Sequence, residues 1–277
     1  MSENIKRTVL DYNDIVGMLP QLEGHEKLVN NVIHWIALDK VNAVHDKYCD
    51  NPGPEFTRNL LKDFDITLRV DGKEVLEHLP EGAFITVSNH PFGALDGISL
   101  ISLIGSIRPE FKVMVNMVLN HISAMRPNFI AVDALASDDP AKKAVSMKGI
   151  KEAIMQVRRG NPIGFFPAGA VSKINGKLRI EDREWQPSII RLIQQLNVPV
   201  IPIYFHGHNS LWFNILGLID WRLRTLRLPA EVWRKCHSEI HVSVGDVILP
   251  DELKQYPDVA GLGDFLKSKT YQLRNRR

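Results

Sequence analysis

The chain holds two cysteines in 277 residues, Cys49 and Cys236, far apart and without CxxC spacing. A disulfide framework or zinc ribbon is therefore unsupported, and a reducing compartment is the simpler setting. Charge of one sign is missing too. The 34 Lys and Arg stand against 32 Asp and Glu, so a net +2 supplies no global field of the kind a nucleic-acid binder needs. The pairs Lys142-Lys143 and Arg158-Arg159 lack interleaved aromatics for stacking on bases and read as solvated helix edges. No nucleic-acid partner is expected. Nor is there a run of about 18 uncharged apolar residues to span a bilayer, and the opening MSENIKRTVLDYND has no apolar core of a signal peptide. Any membrane contact is expected to be peripheral. Internal repeats and low-complexity linkers are also absent.

What is present is an ordinary globular composition, 44% apolar and 24% charged, which rules out a disordered chain. Leu28, Val32, Trp35, Ile36, Val41 and Val44 recur near helical spacing and predict a helix over 24–48, ended by Asn51-Pro52-Gly53-Pro54. Short runs rich in Ile, Val, Phe and Thr then predict strands at 64–70, 83–87, 111–115, 129–132, 163–166 and 198–205, with a late strand at 240–248. Helical patterns lie between and after them, at 140–159, 186–196 and 258–273. Asp139-Pro140 suits the start of the first, and Arg158, Arg159 and Gly160 suit its end. Arg274, Arg276 and Arg277 form a basic tail. This alternation predicts an α/β fold with a mixed, largely parallel central sheet flanked by helices. The expected division is an N-terminal helical segment at 1–62 and an α/β domain at 63–277.

Three segments can carry chemistry. In the first, ITVSNHPFGALDG at 85–97, a buried strand runs into a loop holding His90, Pro91, Gly93, Asp96 and Gly97. Polar groups at the carboxyl end of a sheet strand are well placed for catalysis. An imidazole can take a proton from a hydroxyl near neutral pH if a carboxylate fixes its tautomer. Six residues of continuous helix turn about 600°, so His90 and Asp96 meet only if Pro91 and Gly93 bend the loop. The alternative is a strand-end histidine and a helix-capping aspartate. In the second segment, IGFFPAGAVSK at 163–173, Pro167 and Gly169 form a tight turn before Ser172 and Lys173. Such a turn either offers successive N–H groups to an oxyanion or is a purely structural connection. In the third, VPVIPIYFHGHNS at 198–210, strand alternation puts His206 and His208 on one side. That suits a pocket lining or metal ligation, but no third ligand is nearby. No metal site is expected.

Asn89-His90-Pro91-Phe92-Gly93-Ala94-Leu95-Asp96-Gly97, Phe166-Pro167-Ala168-Gly169 and Val198-Pro199-Val200-Ile201-Pro202 resemble, in order and separation, the blocks of the glycerophospholipid and lysophospholipid acyltransferase superfamily. The resemblance covers roughly residues 65–250. It is closest to the haemolysin-like branch that includes ornithine- and glycine-lipid O-acyltransferases, to which Asp182, Arg183 and Trp185 are also similar. It implies transfer of a fatty acyl group from an acyl carrier protein or coenzyme A thioester to a lyso-lipid hydroxyl. The thioester is then the co-substrate and no further cofactor is needed. His90 would be the general base and Asp96 its partner, the two forming a His-x-x-x-x-x-Asp motif. Direct attack needs no nucleophilic serine, in keeping with the absence of a Gly-x-Ser-x-Gly elbow. Asn89, Gly93, Phe166, Pro167, Gly169, Ser172, Lys173, Arg179, Arg183 and His206 are the expected substrate-binding positions. The resemblance also implies a peripheral place at the cytoplasmic face of the inner membrane.

The departures are informative. Five residues separate His90 from Asp96 where the superfamily usually has four. Asp133, Ala168 and Val171 stand where it usually has Arg, Glu and Arg. Losing two guanidinium groups removes the bidentate clamp for a phosphate, and an aspartate repels one. A glycerol-phosphate acceptor, the activity of a 1-acylglycerol-3-phosphate acyltransferase, is thereby disfavoured against a lyso-amino-acid lipid. Its single carboxylate could be met by Lys173, Arg179 or Arg183. A metal-dependent hydrolase or an inert lipid-binding protein are the readings from other classes. Finally, LWFNILGLIDWRLRTLR at 211–227 combines aromatics and leucines with Arg222, Arg224 and Arg227. It reads either as an interfacial helix on a membrane surface or as a core helix with a basic end.

Overall fold

The computed structural model describes residues 6–133, 140–176 and 179–275, with the side chains of 18, 141, 142 and 221–223 outside that description. The expected cap at Asp139 and the tail residues Arg276 and Arg277 also lie outside it.

Four helices precede the first strand: α1 (Tyr12–Met18), α2 (Glu26–Trp35), α3 (Leu38–Tyr48) and α4 (Pro54–Asp63). The one helix expected over 24–48 is thus two, because Ala37 takes a left-handed φ of 59° and turns the chain between α2 and α3. The buried stripe also differs. Val29, Ile33, Ile36 and Leu38 form a small cluster of their own, whereas Leu28, Val32 and Trp35 face solvent. Helix α4 starts with Pro54, whose fixed φ suits the first turn. Its Phe56, Leu60 and Leu61 join the main core.

The α/β part runs β1 (Thr67–Asp71), α5 (Lys73–Glu77), β2 (Ile85–Ser88), α6 (Ala94–Leu103), β3 (Lys112–Asn116), β4 (Phe129–Val132), α7 (Pro140–Arg158) and β5 (Ile163–Phe165). A small antiparallel pair follows, β6 (Lys173–Ile174) with β7 (Ile180–Glu181). The chain continues through α8 (Pro187–Leu196), β8 (Val200–Phe205), α9 (Leu211–Ile219), α10 (Trp221–Leu226), α11 (Leu228–Arg234), β9 (Glu239–Val244), α12 (Pro250–Leu253) and α13 (Val259–Gln272). Seven strands form one sheet in the order β1-β9-β8-β2-β5-β3-β4. Every neighbouring pair is parallel except β8 with β9, so the sheet is mixed and largely parallel as expected.

Alternation along the strands builds two core layers, one on each face of the sheet. Ile201, Ile203 and Phe205 of β8 pack with Leu60 of α4 and with Leu95 and Ile98 of α6. Ile85 and Val87 of β2 pack on the other side with Val157 of α7, Ile190 of α8 and Leu266 of α13. Helix α6 escapes the sequence reading because it is buried all round. Leu95, Ile98, Leu100 and Ile101 are buried together with Asp96 and Ser99, so polar and apolar residues do not divide into a solvent face and a core face. The first strand starts later than expected, at Thr67, since Phe64 still caps α4 and Asp65 has a φ of 50°. The last ends at Val244, and Ile248 only bridges back to Val200.

Candidate active site

Three neighbouring strands, β8, β2 and β5, run parallel and end at the same edge of the sheet. The loops that leave them are those at 206–210, 89–93 and 166–172, which are far apart in sequence. The sheet order alone gathers them, with β2 in the middle.

The β2 loop is held open by its own side chains. Asn89 extends the β2–β8 ladder by one rung: its Nδ2 donates to the Phe205 carbonyl at 2.9 Å, and its Oδ1 accepts from the Phe205 N–H at 2.7 Å. Gly93 follows with φ of 85°, a left-handed value that glycine tolerates, and it caps α6. A Cβ there would also come within 2.8 Å of Leu228 Cδ2. This bend places Asp96 in the first turn of α6. Its Oδ2 accepts from the Phe92 and Gly93 N–H groups at 2.9 Å each. His90 Nδ1 lies 2.9 Å from the same oxygen. The five-residue spacing therefore does bring the two together. Neither Nδ1 nor the second oxygen, Oδ1, has an aligned hydrogen-bond partner, so the approach is a close contact whose N–H direction is bent away from the acceptor.

Asp96 is wholly buried, and that burial drives its pKa above the ordinary carboxylate value. The contact with His90 and the two N–H bonds oppose the shift without reversing it. The His90 side chain keeps 18% of its surface exposed, so the ring is reachable while its partner is not. Phe166, at the end of β5, stacks on the imidazole with centroids 4.2 Å apart and planes inclined by 27°.

The β5 loop supports the histidine from behind. The Ser172 N–H donates to the His90 carbonyl at 2.8 Å, and Ser172 Oγ donates to Asp182 Oδ1 at 2.6 Å. Asp182 Oδ1 also accepts from the His90 N–H at 3.1 Å, while its Oδ2 accepts from Trp185 Nε1 at 3.3 Å. Asp182 is the residue that reading by residue type missed. It looks like any acidic residue before a tryptophan until the fold sets it against the His90 main chain.

Of the two readings of the 166–172 turn, the purely structural one accounts for part of its N–H groups. Gly169 donates to the Phe166 carbonyl at 2.9 Å, closing the turn, and Ser172 donates to His90 in the neighbouring loop. The Pro167 carbonyl accepts from the Gln186 N–H at 2.8 Å. Lys173, Arg179 and Arg183 are exposed on and beside the β6–β7 pair, outside the tight contacts around His90.

His206 is not brought to His90. Its Nε2 lies 2.8 Å from Ser243 Oγ, and its ring stacks on His241 of β9 with centroids 3.9 Å apart. Burial, with the charge of His241 second, lowers its pKa to about 4. The alternation expected to align it with His208 stops because β8 ends at Phe205 and Gly207 has a φ of 107°. His208 Nδ1 meets the Asn209 carbonyl instead. Among the described residues, no group of three or more His, Cys, Asp or Glu side chains could hold a metal ion.

The segment 211–227 contains two helices, and α9 has a buried side and an exposed apolar one. Phe213, Asn214 and Leu216 are buried, while Leu211, Trp212, Leu218 and Ile219 are each more than half exposed. The side chains of Trp221 and Arg222 lie outside the description. Among the described residues no helix is long and apolar enough to cross a membrane. Two concavities on the surface, one lined by Arg58, Leu61 and Ser102 and one by Lys112, Arg126 and Glu152, lie away from His90.

Comparison with known proteins gives the same direction. A lyso-glycine lipid O-acyltransferase of Phocaeicola vulgatus is 24% identical over 254 residues, 89% of this chain and 87% of its own. A lyso-glycine lipid O-acyltransferase of Bacteroides thetaiotaomicron is 26% identical over 247 residues, covering 85% of each. The crystal structure of the 1-acyl-sn-glycerophosphate acyltransferase PlsC of Thermotoga maritima superposes with a TM-score of 0.49 at 14% identity, covering 80% of this chain and 81% of that one. The family model described as Acyltransferase matches residues 23–277, nearly the whole length, and the chain belongs to that family.

Proposed function

We propose that the protein moves a fatty acyl group from an acyl carrier protein or coenzyme A thioester to the hydroxyl of a lyso-amino-acid lipid, with lyso-glycine lipid as the first acceptor to try. The observation that carries this reading is His90 Nδ1 at 2.9 Å from the buried Asp96 carboxylate. With Nδ1 turned to Asp96, Nε2 is the nitrogen left for the acceptor. His90 Nε2 takes the hydroxyl proton as the oxygen attacks the thioester carbonyl carbon. The C–S bond then breaks, and the imidazolium returns the proton to the departing sulfur, giving a thiol and an ester. Asp96 balances the transient positive charge, and its bent contact tightens when acceptor fills the site, as catalytic hydrogen bonds in unliganded proteins commonly do. Phe166 fixes the ring plane. The names of the two relatives support the acceptor, as does the replacement of phosphate-clamping side chains by Ala168 and Val171, which are packed against their surroundings. Lys173, Arg179 and Arg183 supply positive charge for one carboxylate.

The exposed side of α9 sits on a lipid surface in this reading. Arg227 strengthens it, since its guanidinium lies 5.0 Å from the ring of exposed Trp35, pairing an interfacial aromatic with a cation. Replacing Trp212 and Leu218 together by serine lowers affinity for anionic phospholipid vesicles about tenfold or more, measured by sedimentation.

Purified protein incubated with acyl-carrier-protein thioester, and separately with acyl coenzyme A, should acylate lyso-glycine or lyso-ornithine lipid, read by mass spectrometry, and keep full turnover in chelator. Acylation of lysophosphatidate but of neither amino-acid lipid would refute the acceptor class. Loss of turnover in chelator would refute the metal-free mechanism.

A further inference from the structure

Arg224, on α10, is buried, with only 5% of its surface exposed. A guanidinium gives up much hydration there and must regain it in bonds. Two of those bonds go to consecutive carbonyls of one loop: Nη2 donates to Val171 at 3.1 Å and Nη1 to Ser172 at 3.2 Å. On its other side the guanidinium stands 5.3 Å from the ring of Phe213 in α9. The side-chain stem lies against Gly217, also in α9, where a Cβ would come within 2.6 Å of Arg224 Cδ. The arginine is thus wedged between the helix with the exposed apolar face and the Val171–Ser172 segment.

That segment is the rest on which His90 lies. Ser172 gives its N–H to the His90 carbonyl and its hydroxyl to Asp182, which in turn holds the His90 N–H. The carbonyl of the same Ser172 is the one Arg224 grips. A continuous set of contacts therefore runs from α9 through one buried cation to the main chain of the histidine. A rigid link of this kind matters because an error of about 1 Å in a reacting group costs on the order of a hundredfold in rate.

We propose that Arg224 is a positioning residue for His90, coupling the placement of α9 on lipid to the placement of the imidazole. The inference rests on the reading of His90 as the base and of α9 as the lipid-facing helix. Arg224→Met keeps the stem against Gly217 and Phe213 but removes the donors, whereas Arg224→Lys keeps the charge and can reach one carbonyl. The test follows histidine-ring carbon–proton NMR signals of the full chain, with the His90 signal identified by its absence in His90→Gln. In the wild type, anionic phospholipid vesicles should move the His90 signal. In Arg224→Met that response should vanish and the resting signal should shift, with the thermal midpoint kept. Turnover should show kcat down about 10- to 100-fold with KM for the acceptor within a few-fold, and Arg224→Lys should recover part of it. Should Arg224→Met not fold, Gly217→Ala, which pushes on the stem and leaves the donors, should shift the same signal. An unmoved His90 signal in a folded Arg224→Met, or equal kcat, overturns the proposal. Absence of turnover in the wild type with every thioester and acceptor defeats the functional reading, while the NMR arm still decides the link.

Discussion

Two of the histidine–aspartate pairs among the described residues, His90–Asp96 and His241–Asp71, behave in opposite ways. His90 meets Asp96 beyond the end of β2, and His241 meets Asp71 across β9 and β1. Asp96 has no exposed surface, whereas the Asp71 side chain keeps 24%. Burial pushes Asp96 above the ordinary carboxylate pKa, while the hydrogen bond from His241 pulls Asp71 below it. Burial outweighs the favourable contacts at Asp96, and the hydrogen bond from His241 outweighs burial at Asp71. Burial of the ionised carboxylate costs stability at the first pair, whereas the second pair contributes to stability.

The largest effect that separates them is on turnover. His90→Ala should lower kcat about 10²- to 10⁴-fold, the usual worth of a general base, while His241→Ala should leave it within a few-fold in the same thioester assay. Equal losses would erase the distinction. Next comes a difference in the sign of the stability change. For Asp96 the folded-state pKa is raised, so its contribution falls as pH climbs from about 3.8 through the folded value, and at neutral pH the ionised form is a burden. Asp96→Asn should therefore match or exceed the wild type in unfolding free energy at pH 7, by up to about 1 kcal/mol, while losing turnover about 10- to 100-fold. For Asp71 the folded pKa is lowered, so its contribution is present above about 3.8 and is lost as pH falls through the folded value. Asp71→Asn should melt lower at pH 7 and keep turnover.

The smallest effect sharpens the picture at His206, which stacks on His241. Its pKa of about 4 lies below the ordinary 6.5, so the unfolded chain takes up a proton that the native fold refuses between those values. Its share of stability is complete above pH 6.5 and is lost as pH falls towards 4. His206→Asn should flatten that limb of a plot of melting temperature against pH, and an unchanged limb would place the acid sensitivity elsewhere.

Much of the fold is legible in the sequence because β-strands buried on both faces leave continuous apolar runs: those at 129–132 and 198–205 fall on or within two residues of β4 and β8. Helix α6 was not legible, since a helix buried all round has no solvent face to set a period. The spacing at 24–48 gave helix correctly but not the break at Ala37, where a left-handed alanine answers to packing rather than to local preference. At the site, the loop of His90, Gly93 and Asp96 was legible because glycine and a short polar capping residue have local jobs. The roles of Asp182, Arg224 and His206 were not. Each depends on which distant segment it faces, as when Asp182 meets the His90 main chain 92 positions away.

By itself, the order of residues determined that β2 runs into a loop with an imidazole and a carboxylate a few positions apart, since strand propensity and the turn chemistry of proline and glycine act over a few neighbours. Only the tertiary structure decided that β2 lies between β5 and β8, that Phe166 covers the imidazole, and that Asp96 is sealed from water while His90 is not. Those outcomes depend on strand order and on how completely helices cover a sheet, and such quantities are summed over the whole chain.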